Sequence, residues 1–160
     1  MSEQDVAVLI SEIDRVRRRV YALLRSADAR GLSTRPASGK WSIIENVRHL
    51  LFAEQLHLGR FLPDGSAWRL TQRGKAFAVK GGVVVFRRDG HQMLVGYDGA
   101  APTEDLEEVL RAWDLIHRPI RKAVKATGGD AQYELERNLK HLRRHVEVIE
   151  RLVALASKDS

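Results

Sequence analysis

The chain has no cysteine. That absence excludes disulfides, thiolate metal ligands and a cysteine nucleophile together, so any bound metal must be held by histidine and carboxylate. There is also no run of about 18 apolar residues, and none is expected to cross a membrane as a helix. The first residues are no better suited to a secretory leader, because charges interrupt the apolar positions throughout, from Glu3 to Arg19. A cytoplasmic protein with no membrane partner is the expectation. What is present suits a globule: 44% hydrophobic and 30% charged residues over 160 positions, enough for one domain with a sizeable core.

Acidic residues are outnumbered. The formal net charge is +6, which raises the standing of an anionic partner such as nucleic acid, acidic lipid or an anionic metabolite. The densest basic cluster is Arg15, Arg17, Arg18 and Arg19. Three successive arginines fan out around a helix rather than forming one patch, so a solvated helix face is the expected role.

Four segments carry a helical period. The first runs from about Asp5 to Ala29, with Val6, Leu9, Ile10, Ile13, Val16, Val20, Leu23 and Leu24 on one stripe and Gly31 as its stop. A turn-rich linker with Pro36 and Gly39 follows. The second helix opens at Ser42, where S-x-x-E (Ser42, Glu45) predicts a capping box and Trp41 can pack on the first turn. Ile43, Val47, Leu50, Leu51 and Leu58 form its stripe, and Pro63-Asp64-Gly65 end it near Phe61. The third follows Pro102, with Thr103 as cap, Glu104 and Asp105 in its first turn, and Leu106, Val109, Leu110, Trp113, Ile116, Ile120 and Val124 inward. Pro119 should bend it or loosen a hydrogen bond, and Gly128-Gly129 end it. The fourth spans about Ala131 to Ser157, with Leu135, Leu139, Leu142, Val146, Ile149 and Val153 inward. Four amphipathic helices in this length predict an all-α four-helix bundle. Between the second and third, Trp68 to Ala101 differs. Gly81-Gly82 and Asp89-Gly90 flank strand-like runs (Val83 to Phe86, Met93 to Val95) and suggest a β-hairpin or a three-stranded meander.

The six histidines are placed informatively. His141 and His145 are four apart on the fourth helix, so both imidazoles share one face at the edge of the apolar stripe, close enough to share a metal. Such a pair alone is a weak signal. A third ligand must come from another helix, and His49 lies one turn after Glu45 on a strip (Glu45, His49, Ala53, Leu56) distinct from the main stripe. Small Ala53 would leave room for a ligand there.

Trp41-Ser42-Ile43-Ile44-Glu45-Asn46-Val47-Arg48-His49-Leu50 resembles the W-S-x-x-E-x-x-x-H-L signature of the second helix of DinB-like proteins, and His141-Leu142-Arg143-Arg144-His145 resembles the H-x-x-x-H of their last helix. Helix number, order and separation are similar over most of the chain. The Trp68–Ala101 excursion and Tyr133-Glu134-Leu135-Glu136 depart from the family pattern. The resemblance implies a four-helix bundle, often a homodimer, with one divalent metal on His49, His141 and His145. Three neutral imidazoles leave an open position, as in catalytic rather than closed sites. Zinc, nickel, iron and manganese are not separated by ligand type, with zinc or nickel put first. The implied activity is a thiol S-transferase using a low-molecular-weight thiol on a small-molecule substrate.

Other readings stay open. A metal-dependent hydrolase needs a general acid or base, for which Glu45, His57 or Tyr133 offers itself. The cap already accounts for Glu45. His57, two turns beyond His49, reads first as a partly exposed bystander. His117 reads as a hydrogen-bonded core histidine or a pocket residue, and His91 as a loop residue. Trp68 and Trp113 read as core. A basic, non-catalytic protein associated with nucleic acid, or a plain binding module, is the alternative outside enzymes. The first lacks a helix-turn-helix, a zinc finger or basic-aromatic interleaving.

Overall fold

A computed structural model describes residues 3–63, 77–78, 83–88, 91–97 and 106–158 of the chain. Trp68, Thr103, Glu104, Asp105 and both turn dipeptides of the middle excursion lie outside these residues. The described helices are α1 (Glu3–Ser26), α2 (Ile43–Leu58), α3 (Leu106–Thr127) and α4 (Gln132–Lys158), and they form the bundle. Helix α4 packs between α1 and α2, while α3 closes the other side, so α1 and α2 stand diagonally. Among the described residues no helix is long and apolar enough to cross a membrane.

The apolar stripes meet in one core. Val20, Leu24, Val47, Leu51, Val109, Trp113, Ile120, Leu135 and Ile149 are all buried within it. Each fully buried aliphatic side chain contributes about 1.5–3 kcal/mol relative to exposure, and this sum holds the four helices together. Val146 and Val153 reach the core only partly.

The first helix is shorter than its period suggests. It stops at Ser26, and Asp28 starts a separate one-turn helix, Ala29–Ser33, by accepting the Gly31 N–H on its carboxylate at 2.7 Å. Aspartate favours such a cap over a helix interior because its oxygens compete for backbone donors. Gly31 is therefore not a stop. A Cβ there would meet the Ala156 Cβ at 3.2 Å, so glycine lets the short helix approach α4.

Helix α2 begins as expected. Ser42 Oγ accepts the Glu45 N–H, and Glu45 Oε1 accepts the Ser42 N–H, both at 3.2 Å. Helix α2 ends at Leu58 in a 3₁₀ turn, Gly59–Phe61. Helix α3 continues through Pro119 and ends at Gly128, whose φ of +70° suits glycine at a helix C-terminus. The described residues of the excursion form three antiparallel strands, β1 (Phe77–Ala78), β2 (Val83–Arg88) and β3 (His91–Tyr97), in that order. Val85 pairs with Val95, and the register shifts between Phe86 and Arg87. His91 opens β3 rather than lying in a loop.

The arginine cluster is not one solvated face. Arg17 is only 9% exposed. It donates to Tyr21 Oη at 3.0 Å, and its guanidinium lies 4.9 Å from the Trp113 ring centroid. Arg15 pairs with Glu12 and Arg19 with Glu150, while Arg18 is exposed.

The capping box generates a stability prediction. Ser42→Ala should cost about 1 kcal/mol, up to about 2, in urea denaturation, whereas Ser42→Thr should retain most of that stability. Equal midpoints for wild type and the alanine variant would contradict the cap's contribution.

Candidate metal centre

Helices α2 and α4 lie side by side, and their facing edges carry His49 on one and His141 and His145 on the other. One ring nitrogen from each of these three half-buried histidines falls within 4.8 Å of the others. His49 Nε2 and His141 Nε2 are 3.1 Å apart. Two imidazole nitrogens bound tetrahedrally to one zinc would stand about 3.3 Å apart, so the closest pair already has the spacing that a shared ion needs.

The third histidine is oriented by a neighbour. The Asn46 amide nitrogen donates to the Ser42 carbonyl at 2.8 Å, which sets the amide's direction. Its oxygen then accepts from His145 Nδ1 at 2.9 Å. With the proton on Nδ1, His145 Nε2 keeps its lone pair, the state a ligand needs. Trp41, just before the cap, lies against His49 with ring centroids 5.0 Å apart.

Electrostatics favour the neutral form of His141 and His145. Burial, reinforced by His141, His49 and Arg144, pushes His145 down to about 3. Burial beside Arg144 and Arg137 also lowers His141. Neutral imidazole is the metal-binding form, so the set fits a divalent ion through its donor chemistry as well as its spacing.

The other candidates separate clearly. Glu45 is taken by the cap and by Arg35, whose Nε and Nη2 donate at 2.8 and 2.6 Å. That pairing leads the causes that hold its carboxyl at about 2. Tyr133 is 71% exposed. His57 is not a partly exposed bystander. It is 5% exposed, its ring meets His141 edge-on at 5.6 Å, and its Nδ1 lies 3.3 Å from the Asn138 amide nitrogen. Burial, with Arg137 next, pushes it down to about 4. Ala53 is buried in the bundle.

His117 belongs to a different cluster, as a hydrogen-bonded core histidine. Its Nδ1 is 2.6 Å from Glu54 Oε1, and its Nε2 is 3.4 Å from Asp14. Trp113 Nε1 donates to Glu54, and Arg121 donates to Asp14. Burial alone would raise Glu54, but His117, Arg17 and the Trp113 N–H together hold it below its usual range.

Sequence reasoning missed Asn46, Asn138, Glu54 and Asp14. For Asn46 a signal existed: Ser42, Asn46 and His49 follow helical i, i+4, i+7 spacing. The other three reveal their roles only across helices.

The family model for the DinB superfamily matches residues 12–155. No curated protein and no solved structure matches the chain.

The buried neutral histidines make an acid-sensitivity prediction. His145 and His57 have folded values of about 3 and about 4 against 6.5. The unfolded chain therefore binds more protons below pH 6.5, and stability must fall as pH drops through that window. Glu45, at about 2 against 4.5, loses its contribution only as pH falls below 4.5. Metal-free protein should thus show a falling denaturation midpoint between pH 6.5 and 5, where carboxylates remain ionised, and His145→Gln should flatten that slope. A pH-independent midpoint over this range is the contrary result.

Proposed function

The chain belongs to the DinB superfamily, and from that premise we propose that it is a metal-dependent enzyme transferring a low-molecular-weight thiol to an electrophilic small molecule. The observation that carries this reading is the convergence of His49, His141 and His145 from two helices. These three residues would hold one divalent ion, zinc or nickel first. Such an ion supplies Lewis acidity and lowers the pKa of a thiol or water beside it.

The chain's own residues do the rest. Asn46 holds His145 in the tautomer that presents Nε2, and Trp41 covers one side of His49. His57, with its proton directed to Nε2 by Asn138, keeps a neutral imidazole against His141 and adds no competing charge. Thiol transfer is preferred to hydrolysis because two of the three side chains a hydrolase could use are out of play, and the third, His57, has its Nδ1 against the Asn138 amide. Glu45 is locked by Arg35 and the cap, and Tyr133 faces solvent. Thiol activation at the ion asks for no such base. The arginines that favoured nucleic acid are largely internal or paired. A homodimer and a cytoplasmic location belong to the same reading.

Metal analysis by mass spectrometry tests it. Wild type should carry about one ion per chain. His49→Ala and His145→Ala should lose it, and Asn46→Ala should bind it about 10–100-fold more weakly while remaining folded. Loaded wild type should consume thiol with an electrophile panel, and the histidine variants should not. No stoichiometric metal after reconstitution would refute the proposal. Turnover without any thiol would replace it with a hydrolase.

A further inference from the structure

Beside the three histidines lies a cavity of about 450 Å³ between the linker before α2 and the C-terminal half of α4. That volume falls in the range of small-molecule sites. It adjoins the candidate centre through shared residues: Trp41, against His49, and Asn46, bonded to His145, both line it. The rest of its wall is mixed in a specific way. Val148, Leu152 and Leu155 present apolar surface, and Leu155 is 53% exposed. Lys40 and Arg151 supply positive charge, and none of the lining residues is acidic.

Several arginines on α1 and α4 are paired with carboxylates. Arg19 pairs with Glu150, Arg143 with Glu12, and Arg137 with Glu134. Lys40 and Arg151 pair with no carboxylate among the described residues. Two uncompensated cations over an apolar wall are complementary to one kind of molecule: a body of carbon with an anionic end.

We propose that this cavity binds the electrophilic substrate, and that this substrate is a small amphipathic anion. Its apolar body lies against Trp41, Val148, Leu152 and Leu155, and its anionic group lies at Lys40 and Arg151. The assignment of this ligand as substrate rests on the metal-centre reading, while binding in the cavity does not. A positive rim also raises the encounter rate with an anion, an effect that weakens with salt.

The test is calorimetric titration of the full chain, stripped of metal and metal-loaded, with decanoate, decanol and decyltrimethylammonium as probes. Decanoate should bind in both forms. Decanol should bind at least tenfold more weakly, and the cationic probe should not bind. Lys40→Glu and Arg151→Glu, both at exposed positions, should each weaken decanoate on the order of tenfold while leaving metal content unchanged. Arg151→Gln should fall between wild type and the glutamate variant. Equal affinity for all three probes, or indifference to both charge reversals, would overturn the proposal. So would a dimer that Leu155→Glu splits into monomers, which would assign the face to a second copy of the chain. Loss of metal binding with decanoate affinity intact would sink the enzyme reading and leave the cavity's ligand class standing.

Discussion

The first turn of α2 is the constraint on which the site depends. Its cap aligns Ser42, and the Ser42 carbonyl fixes the Asn46 amide. That amide fixes the His145 ring across the helix interface. The same turn carries Glu45, which Arg35 clamps to the preceding linker, and places Trp41 against His49. A few hydrogen bonds thus connect backbone capping to ligand orientation. Orientation matters because a histidine can bind metal only through the nitrogen that does not hold a proton.

The buried histidines show how environment divides one residue type into two roles. His145, His141 and His57 are desolvated near other imidazoles and arginines, and each is driven toward the neutral form. Among the described residues none of them has a carboxylate as a hydrogen-bond partner. His117 is as buried as His57 but is gripped at one nitrogen by Glu54 and faces Asp14 with the other. Both of its ring nitrogens face carboxylates rather than other imidazoles. It ties α1, α2 and α3 together instead, with Trp113 and Arg121 satisfying the remaining carboxylate oxygens. A buried polar network of this kind stabilises the bundle only when its members are paired.

Charge is also sorted by place. Arg17, one of three successive arginines, stacks its guanidinium over Trp113 in the core. Arg15 and Arg19 pair along the surface, and Arg18 is exposed. Lys40 and Arg151 line a concave surface and pair with no carboxylate among the described residues. A net charge of +6 therefore says less about partners than the position of two particular side chains does.

The four helices, the capping box and the candidate ligands His49, His141 and His145 were all legible in the residues alone. Helical periodicity, S-x-x-E and H-x-x-x-H are local patterns, set by side chains a few positions apart on one helix. The break after Ser26 was not legible, because the stripe continues across it and only the Asp28 cap and the packing of Gly31 on Ala156 end the helix there. The burial of Arg17 and His57, and the pairing of His117 with Glu54 and Asp14, were not legible either. Each depends on which helices become neighbours, and that was settled when α4 packed between α1 and α2. Local spacing determined which residues could act together along one helix. Only tertiary packing decided which helices brought such sets within bonding distance, because hydrogen bonds and desolvation act over a few ångströms of space and not along the chain.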